Sequence, residues 1–359
     1  MKTKKISIIG IVGIPSKYGG FETLTEYLTK YLNQENDITV FCSSKNYEKK
    51  LDVYNGSNLK YINLSANGVQ SIFYDIISIF SSLRFADTLV ILGVSGCIVL
   101  PFIRLFSKKR IIVNIDGLEW KRGKWKKNTK RFLKFSEKLA VKYADVVVSD
   151  NKVIQEYVFS EYGVRSELIA YGADHVKKEL LNDEIKNKYP FLNEKYAFKV
   201  CRIEPENNIH LILDAFSEYA LLNIVMIGNW KNSDYGKALK EKYNIFTNIF
   251  LLDPIYDQLV LNKIRSNCFV YIHGHSAGGT NPSLVEAMYL GLPIFSVGVE
   301  YNKETTKHKA KYFNNKNELL VLLDNINDAD LGSIASNMKE IAKENYTWEK
   351  ISQQYSALF

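Results

Sequence analysis

Ile6-Ser7-Ile8-Ile9-Gly10-Ile11-Val12-Gly13-Ile14-Pro15-Ser16-Lys17-Tyr18-Gly19-Gly20-Phe21-Glu22-Thr23 runs from a β-branched stretch through a glycine-rich loop into a helical pattern carried on by Leu24, Tyr27, Leu28 and Tyr31. Strand, glycine loop and helix in that order open a parallel α/β sheet. The loop admits two readings: backbone N–H groups offered to a phosphate at a helix start, or a turn that simply needs glycine. Its spacing is not G-x-G-x-x-G, and the second strand ends in Phe41-Cys42-Ser43 with no acid for a ribose, which disfavours a nicotinamide dinucleotide.

Outward from this unit the alternation continues. Short β-branched runs at 6–9, 38–42, 59–64, 88–92, 110–115 and 145–149 are separated by helical patterns; runs at 196–200, 223–227, 249–252, 268–272 and 293–296 repeat the plan. The pattern predicts two Rossmann-like α/β domains, 1–172 and 173–345, joined through the polar stretch 171–195. Residues 346–359 form an amphipathic segment, a candidate for a last helix crossing back to the first domain. A ligand cleft is expected between the domains, at the carboxyl ends of the strands.

The 359 residues are 46% apolar and 24% charged, which excludes a disordered or collagen-like chain. Cys42, Cys97, Cys201 and Cys268 form no C-x-x-C pair, so neither a zinc site nor a disulfide framework is indicated and a reducing cytoplasm fits. The first residues are basic, but the apolar run after them is short and glycine-broken, unlike an export leader. Residues 88–106 are nearly uncharged and about as long as a bilayer span, yet Gly93, Gly96 and Pro101 break them and Arg104 sits inside. They read as a buried strand, a glycine turn and a short buried helix.

One segment accounts for the net charge of +8: ten basic residues and one acid, a net +9, lie from Lys121 to Lys142, and the rest of the chain is close to neutral. Lys130, Lys134, Lys138 and Lys142 recur every four residues beside Phe132, Phe135 and Leu139, with Trp120 and Trp125 ahead of them. Three readings stand: a helix on an anionic membrane, a solvated helix face, or a nucleic-acid contact.

Four motifs bear chemistry. In His273-Gly274-His275-Ser276-Ala277-Gly278-Gly279-Thr280-Asn281-Pro282-Ser283-Leu284-Val285-Glu286, glycines precede a helix start with Pro282 in its first turn, a place where a diphosphate could dock. Glu286, about one turn in, either accepts from ribose hydroxyls or pairs with the helix dipole. His273 and His275 suggest a metal only weakly, since no third ligand is near. Arg202, in Cys201-Arg202-Ile203-Glu204-Pro205-Glu206-Asn207-Asn208, either clamps a phosphate or pairs with Glu204 or Glu206. Asp116, in Asn114-Ile115-Asp116-Gly117-Leu118-Glu119-Trp120, either orients or deprotonates a hydroxyl or shapes a turn. Asp328-Ala329-Asp330 is similar to a metal-binding D-x-D triplet but reads as a helix cap.

Four of these stretches, 13–23, 116–122, 202–208 and 273–288, resemble the bacterial rhamnosyltransferases of surface-polysaccharide synthesis, within the retaining GT-B glycosyltransferases, over nearly the whole chain. The resemblance implies a GT-B architecture of two Rossmann-like domains facing a central cleft. It implies a nucleotide diphospho-sugar donor, dTDP-rhamnose foremost, held by Arg202, Gly278, Gly279, Thr280, Asn281, Ser283 and Glu286, with Gly19 and Gly20 reaching the donor. Tyr18, Asp116, Glu119 and Trp120 fall to a lipid-linked saccharide acceptor; Asp116, Arg202 and His275 to catalysis; Trp125, Lys130, Lys134 and Lys138 to an anionic membrane surface. No cofactor, metal or nucleic acid is expected, and the protein is placed in the cytoplasm, peripherally on the inner face of the membrane. A nucleotide-sugar epimerase of the same plan, or transfer from another nucleotide sugar, are the alternatives. Two positions depart from the wider superfamily: Gly278 stands where the first of two glutamates is usual, and Asn207 where a phosphate-binding lysine is usual.

Overall fold

The run that opens the chain becomes β1 (Lys4–Ile9), buried from Ile6 onward, and it lies inside an eight-stranded sheet rather than at its edge. The other strands are β2 (Asn36–Ser43), β3 (Val53–Tyr54), β4 (Ser57–Ile62), β5 (Thr88–Leu92), β6 (Arg110–Asn114), β7 (Val146–Ser149) and β8 (Glu167–Leu168), in the order β3-β4-β2-β1-β5-β6-β7-β8. Ile6 is in register with Ile38 on one side and Thr88 on the other. All pairs are parallel except β3–β4, a hairpin turned by Asn55-Gly56, both at positive φ. Helices α1 (Gly20–Leu32), α2 (Gln70–Ser82), α3 (Leu100–Ile103), α4 (Lys127–Tyr143) and α5 (Lys152–Tyr162) connect the strands. This is a computed structural model, and it describes residues 3–17, 19–123 and 125–359.

The second sheet takes β9 (Tyr196–Val200), β10 (Asn223–Ile227), β11 (Ile249–Leu252), β12 (Val270–His273), β13 (Ile294–Val297) and β14 (Lys311–Phe313) in the order β11-β10-β9-β12-β13-β14, all parallel. Its helices are α6 (Asp183–Lys188), α7 (Ile209–Glu218), α8 (Asp234–Tyr243), α9 (Gln258–Ser266), α10 (Pro282–Tyr289), α11 (Glu300–Thr305), α12 (Lys316–Asp324) and α13 (Asp328–Asn345). By its contacts the chain divides into Met1–Tyr171 with Trp348–Phe359, and Gly172–Thr347. The last helix, α14 (Trp348–Ser356), packs in the first unit: Trp348 stacks on Tyr27 with ring centres 4.5 Å apart, and Asn114 Nδ2 donates to the Tyr355 hydroxyl at 2.9 Å.

The uncharged stretch resolves into β5, a turn through Gly93 and α3, as the broken pattern predicts, but the helix is not buried as expected: it packs Leu100 and Ile103 inward and leaves Phe102 exposed, with Leu105 and Phe106 after it, because only one face meets the sheet. Arg104 donates to the Tyr143 and Lys109 carbonyls (2.8 and 2.9 Å) and pairs with Asp145 at 2.7 Å. Among the described residues no helix is long and apolar enough to cross a membrane. Asp328 and Asp330 form the first turn of α13; its cap is Asn327, whose side chain accepts from the Asp330 N–H at 2.8 Å.

Candidate active site

In the second sheet the strand order reverses between β9 and β12, so the loops leaving their carboxyl ends, 201–208 and 274–281, border one crevice. Hydrogen bonds stitch these loops together. Ser276 donates to the Glu206 carbonyl through both its N–H (2.9 Å) and its hydroxyl (3.0 Å), and Asn208 Nδ2 donates to the Gly274 carbonyl at 2.8 Å. A Cβ on Gly274 would lie 2.2 Å from the Asn207 carbonyl oxygen, so this approach requires glycine.

Asn207 orients His275. Its Nδ2 donates to the Arg202 carbonyl at 2.8 Å, which turns Oδ1 toward His275 Nδ1 at 3.0 Å. An amide oxygen only accepts, so Nδ1 carries a proton. The Arg202 side chain is exposed and, among the described residues, neither Glu204 nor Glu206 pairs with it. The reading as a surface ion pair therefore falls away. In β9, Lys199 is 1% exposed, and burial lowers its pKa from the ordinary lysine value. His273 is buried with neither ring nitrogen bonded; burial, then Lys199 and His275, hold it well below the usual histidine range. Among the described residues no three His, Cys, Asp or Glu side chains gather as a metal site.

Glu286 does more than meet a helix dipole. Arg265 of α9, 1% exposed, donates from Nη1 to its Oε2 and from Nη2 to Asn262 Oδ1 at 2.8 Å, while His175 Nε2 meets its Oε1 at 3.1 Å. Burial pushes the Glu286 carboxyl up, but the Arg265 guanidinium and the His175 contact outweigh it and bring it to about 2. The carboxylate is thus ionised at any working pH, and each oxygen keeps acceptor capacity for a hydroxyl.

At the start of α10, Asn281 serves as the cap: its Oδ1 accepts from the Ser283 N–H (3.0 Å) and hydroxyl (2.8 Å), and Tyr271 donates to Ser283 Oγ at 3.1 Å. The Leu284 and Val285 N–H groups turn to the Asn281 carbonyl at 3.0 and 3.2 Å. The Asn281 and Ser283 side chains, expected on the donor, thus hold the helix start instead. Thr280 is buried, and the N–H groups of Gly278 (φ 91°) and Gly279 take no acceptor among the described residues.

The first unit treats its glycine loop differently. Gly19 caps α1 at φ 126°, and a Cβ there would meet Glu22 Oε2 at 1.9 Å. Glu22 Oε1 accepts from the Val12 N–H at 2.8 Å and Glu26 Oε2 from the Ser16 N–H at 2.5 Å. Gly19 and Gly20, expected at a phosphate, therefore adjoin carboxylates that already occupy the loop. Tyr18 lies outside the described residues. Asp116 takes a left-handed turn (φ 60°), its N–H on Asn114 Oδ1 at 3.0 Å and its carboxylate 3.9 Å from Arg122. Glu119 pairs with Arg122 at 2.7 Å and accepts from Trp125 Nε1 at 2.9 Å, which ties Trp125 back.

Lys134 corrects the expected cationic stripe. Its ammonium sits over the rings of Trp120 and Tyr157, both at 4.7 Å, pairs with Glu161 at 3.0 Å and bonds to the Tyr157 hydroxyl. Burial lowers its pKa, but these partners raise it more, so the cation is fixed inward. Lys130 is partly covered and Lys138 exposed. The side buried under α4 is Leu133, Ser136, Glu137, Ala140 and Val141, one step round from the expected apolar face, and Phe135 points out, 51% exposed.

Residues 182–330 match the family model described as Glycosyl transferases group 1. The second unit is a glycosyltransferase group 1 domain, and the chain a glycosyltransferase. Residues 3–174 match a domain of unknown function, DUF1972. The glycosyltransferase is 22% identical to an uncharacterized glycosyltransferase of Methanocaldococcus jannaschii over 402 residues, 99% of this chain and 98% of that one. Among solved structures it is similar to sucrose-phosphate synthase from Thermosynechococcus elongatus, with a TM-score of 0.82, 13% identity, and 99% and 98% of the two chains covered. It is also similar to Anabaena HepE in complex with UDP-glucose, with a TM-score of 0.76, 14% identity and the same coverage. These likenesses show the GT-B fold of two parallel-sheet Rossmann-like domains.

Three side chains of the glycosyltransferase's site escaped the sequence reading: Arg265, His175 and Lys199. Arg265 and His175 reach Glu286 from 21 and 111 residues away, beyond any local spacing. Lys199 had one signal, a lysine inside the otherwise uncharged strand Tyr196–Val200.

Proposed function

We propose that this glycosyltransferase moves L-rhamnose from dTDP-rhamnose, with retention of configuration, onto a lipid-diphosphate-linked saccharide in capsule, O-antigen or cell-wall polysaccharide synthesis, as a cytoplasmic enzyme on the inner face of the membrane. The observation that carries the donor half is that the loops of one sheet crevice present both an exposed guanidinium at Arg202, without an ion-pair partner among the described residues, and a carboxylate at Glu286 held ionised by Arg265. Arg202 and the Gly278–Gly279 N–H groups stabilise the charge that grows on the diphosphate as the sugar–oxygen bond stretches, and Glu286 accepts from the ribose hydroxyls. The acceptor hydroxyl attacks from the leaving-group side; the bond from C1 to the phosphate oxygen breaks, and that oxygen takes the hydroxyl proton. No separate base is then required. Asp116 orients the acceptor, with Glu119 and Trp120 near it on the same connection, and His275 lines the sugar pocket.

The dTDP-rhamnose donor rests on the motif resemblance. A UDP-sugar donor is the second reading, favoured by the likeness to HepE, which was solved with UDP-glucose. Purified enzyme is offered a panel of dTDP-, UDP- and GDP-sugars with a lipid-diphosphate-linked acceptor and the product is read by mass spectrometry. Rhamnosyl transfer from dTDP-rhamnose supports the proposal. Turnover confined to a UDP-sugar replaces its donor, and conversion of donor without acceptor replaces transfer with epimerisation.

A further inference from the structure

Helices α2 and α3 expose large apolar side chains to water, although each packs another face into the sheet. On α2, Val69, just before it, then Phe73, Ile77 and Phe80 follow at helical spacing along one stripe, with Phe73 58% exposed, while Tyr74, Ser78 and Ile79 are buried. At α3 and the turn after it, Phe102, Leu105 and Phe106 are 57%, 80% and 58% exposed. The two groups join: the ring centres of Phe80 and Phe102 lie 6.4 Å apart, and those of Phe102 and Phe106 5.2 Å. Singly exposed apolar residues need no explanation, but a continuous ridge of phenylalanines marks a contact surface.

Topology sets its company. Crossovers β4→β5, β5→β6 and β6→β7 all step the same way along the sheet, so right-handed connections put α2, α3 and α4 on one face. Helix α1 steps the other way and takes α14 against it on the opposite face. The outward stripe of α4 is Arg131, Phe135, Lys138 and Lys142, all exposed, and Lys108 is exposed just beyond Phe106. Beside the ridge the acids are withdrawn: Glu137 is 1% exposed beneath α4, and Asp145 pairs with Arg104; on α5, farther along this face, Glu161 pairs with Lys134 and Glu156 is exposed. An apolar ridge whose adjoining α4 stripe is cationic complements an anionic bilayer; an acidic rim would have suited a protein partner better.

We propose that this face of the first unit docks on anionic phospholipid, with Phe73, Ile77, Phe80, Phe102, Leu105 and Phe106 among the acyl chains and Arg131, Lys138 and Lys142 at the headgroups. The inference deepens the membrane part of the proposed function. It moves the inserting element from the lysines of α4 to the phenylalanines beside them, and Lys134 has no part in it.

The test uses the full chain without donor or acceptor, so its outcome is independent of donor and acceptor identity. Co-sedimentation is measured with phosphatidylcholine vesicles, with and without phosphatidylglycerol, and F102S/F106S, K138E/K142E and the distant L221S are compared, folding being checked by circular dichroism. Expected is binding to the anionic vesicles that F102S/F106S weakens about tenfold or more at every salt concentration. K138E/K142E weakens it at low salt only, and L221S leaves it unchanged. Wild-type strength in F102S/F106S, or equal binding to both vesicle types, overturns the proposal. So does a wild-type dimer that F102S/F106S converts to monomer, since the ridge would then be covered by a second copy. Should either double variant misfold, F106C carrying an environment-sensitive dye decides: a blue shift with anionic vesicles supports insertion, and an unshifted spectrum contradicts it.

Discussion

The two sheets reverse strand order at matching places, between β1 and β5 in one and between β9 and β12 in the other, and they handle charge there in opposite ways. In the first, Glu22 and Glu26 fold back onto the N–H groups of the glycine loop. Asp75 lies buried against Gly96, and burial, opposed only by the Gly96 backbone N–H, pushes its carboxyl up to about 8. In the second, Arg202 is exposed with no ion-pair partner among the described residues, Lys199 is buried in β9, and Glu286 is kept ionised by Arg265. Two unlike charges at 4 Å gain about 4 kcal/mol at an effective dielectric of about 20, and like charges lose as much. On the proposed function, a diphosphate is expected at the second loop, beside Arg202, and not at the first, where Glu22 and Glu26 take the loop N–H groups. The difference teaches that a glycine loop feeding a helix does not itself define a phosphate site; the side chains that fold onto its N–H groups decide.

The sharpest way to break this contrast is Arg265→Met. It leaves the half-buried Glu286 without its counter-charge and should cost about 3 kcal/mol of stability in calorimetry, with much of it restored by adding Glu286→Gln. An unchanged melting temperature would mean that the ion pair contributes nothing.

The carboxylates of Glu286, partly buried, and Asp75, buried, predict opposite pH slopes. Glu286 titrates at about 2 in the folded chain against 4.5 unfolded, so its contribution, on the order of 3 kcal/mol, is present above pH 4.5 and lost as pH falls toward 2. Asp75 titrates at about 8 against 3.8, so the unfolded chain holds fewer protons in between and stability falls as pH rises from about 4 to 8. Denaturant melts of Glu286→Gln and Asp75→Asn should each flatten the corresponding limb only.

Arg202→Ala removes an exposed group with no side-chain partner among the described residues, so transfer should drop about a hundredfold or more, near 3 kcal/mol, at unchanged stability. Full activity would take Arg202 out of the site. The smallest effect belongs to Gly19→Ala, which presses a methyl onto Glu22 at positive φ and should cost about 1–3 kcal/mol in stability without changing the affinity for nucleotide.

Much of the fold was legible because parallel strands are buried on both sides and read as β-branched runs: 88–92, 196–200, 223–227 and 249–252 have the same limits in sequence and structure. Strands of two or three residues, β3, β8 and β14, carry no period to read, though Asn55-Gly56 announces the β3–β4 hairpin. At the site, Arg202 and Glu286 could be singled out because they sit at a strand end and a helix start. What holds Glu286 could not, because Arg265 and His175 arrive through tertiary packing. The lysines of α4 misled for a related reason: a spacing of four drifts about 40° per step round a helix, so one stripe of sequence turns partly inward, where the rings of Trp120 and Tyr157 take Lys134.

A crystal structure of the chain with a nucleoside diphosphate bound tests the central claim most directly. It should show the diphosphate against Arg202 and the Gly278–Gly279 N–H groups, with the ribose hydroxyls on Glu286. Density for the diphosphate at the glycine loop between β1 and α1, or anywhere that leaves Arg202 and Glu286 untouched, would contradict the account.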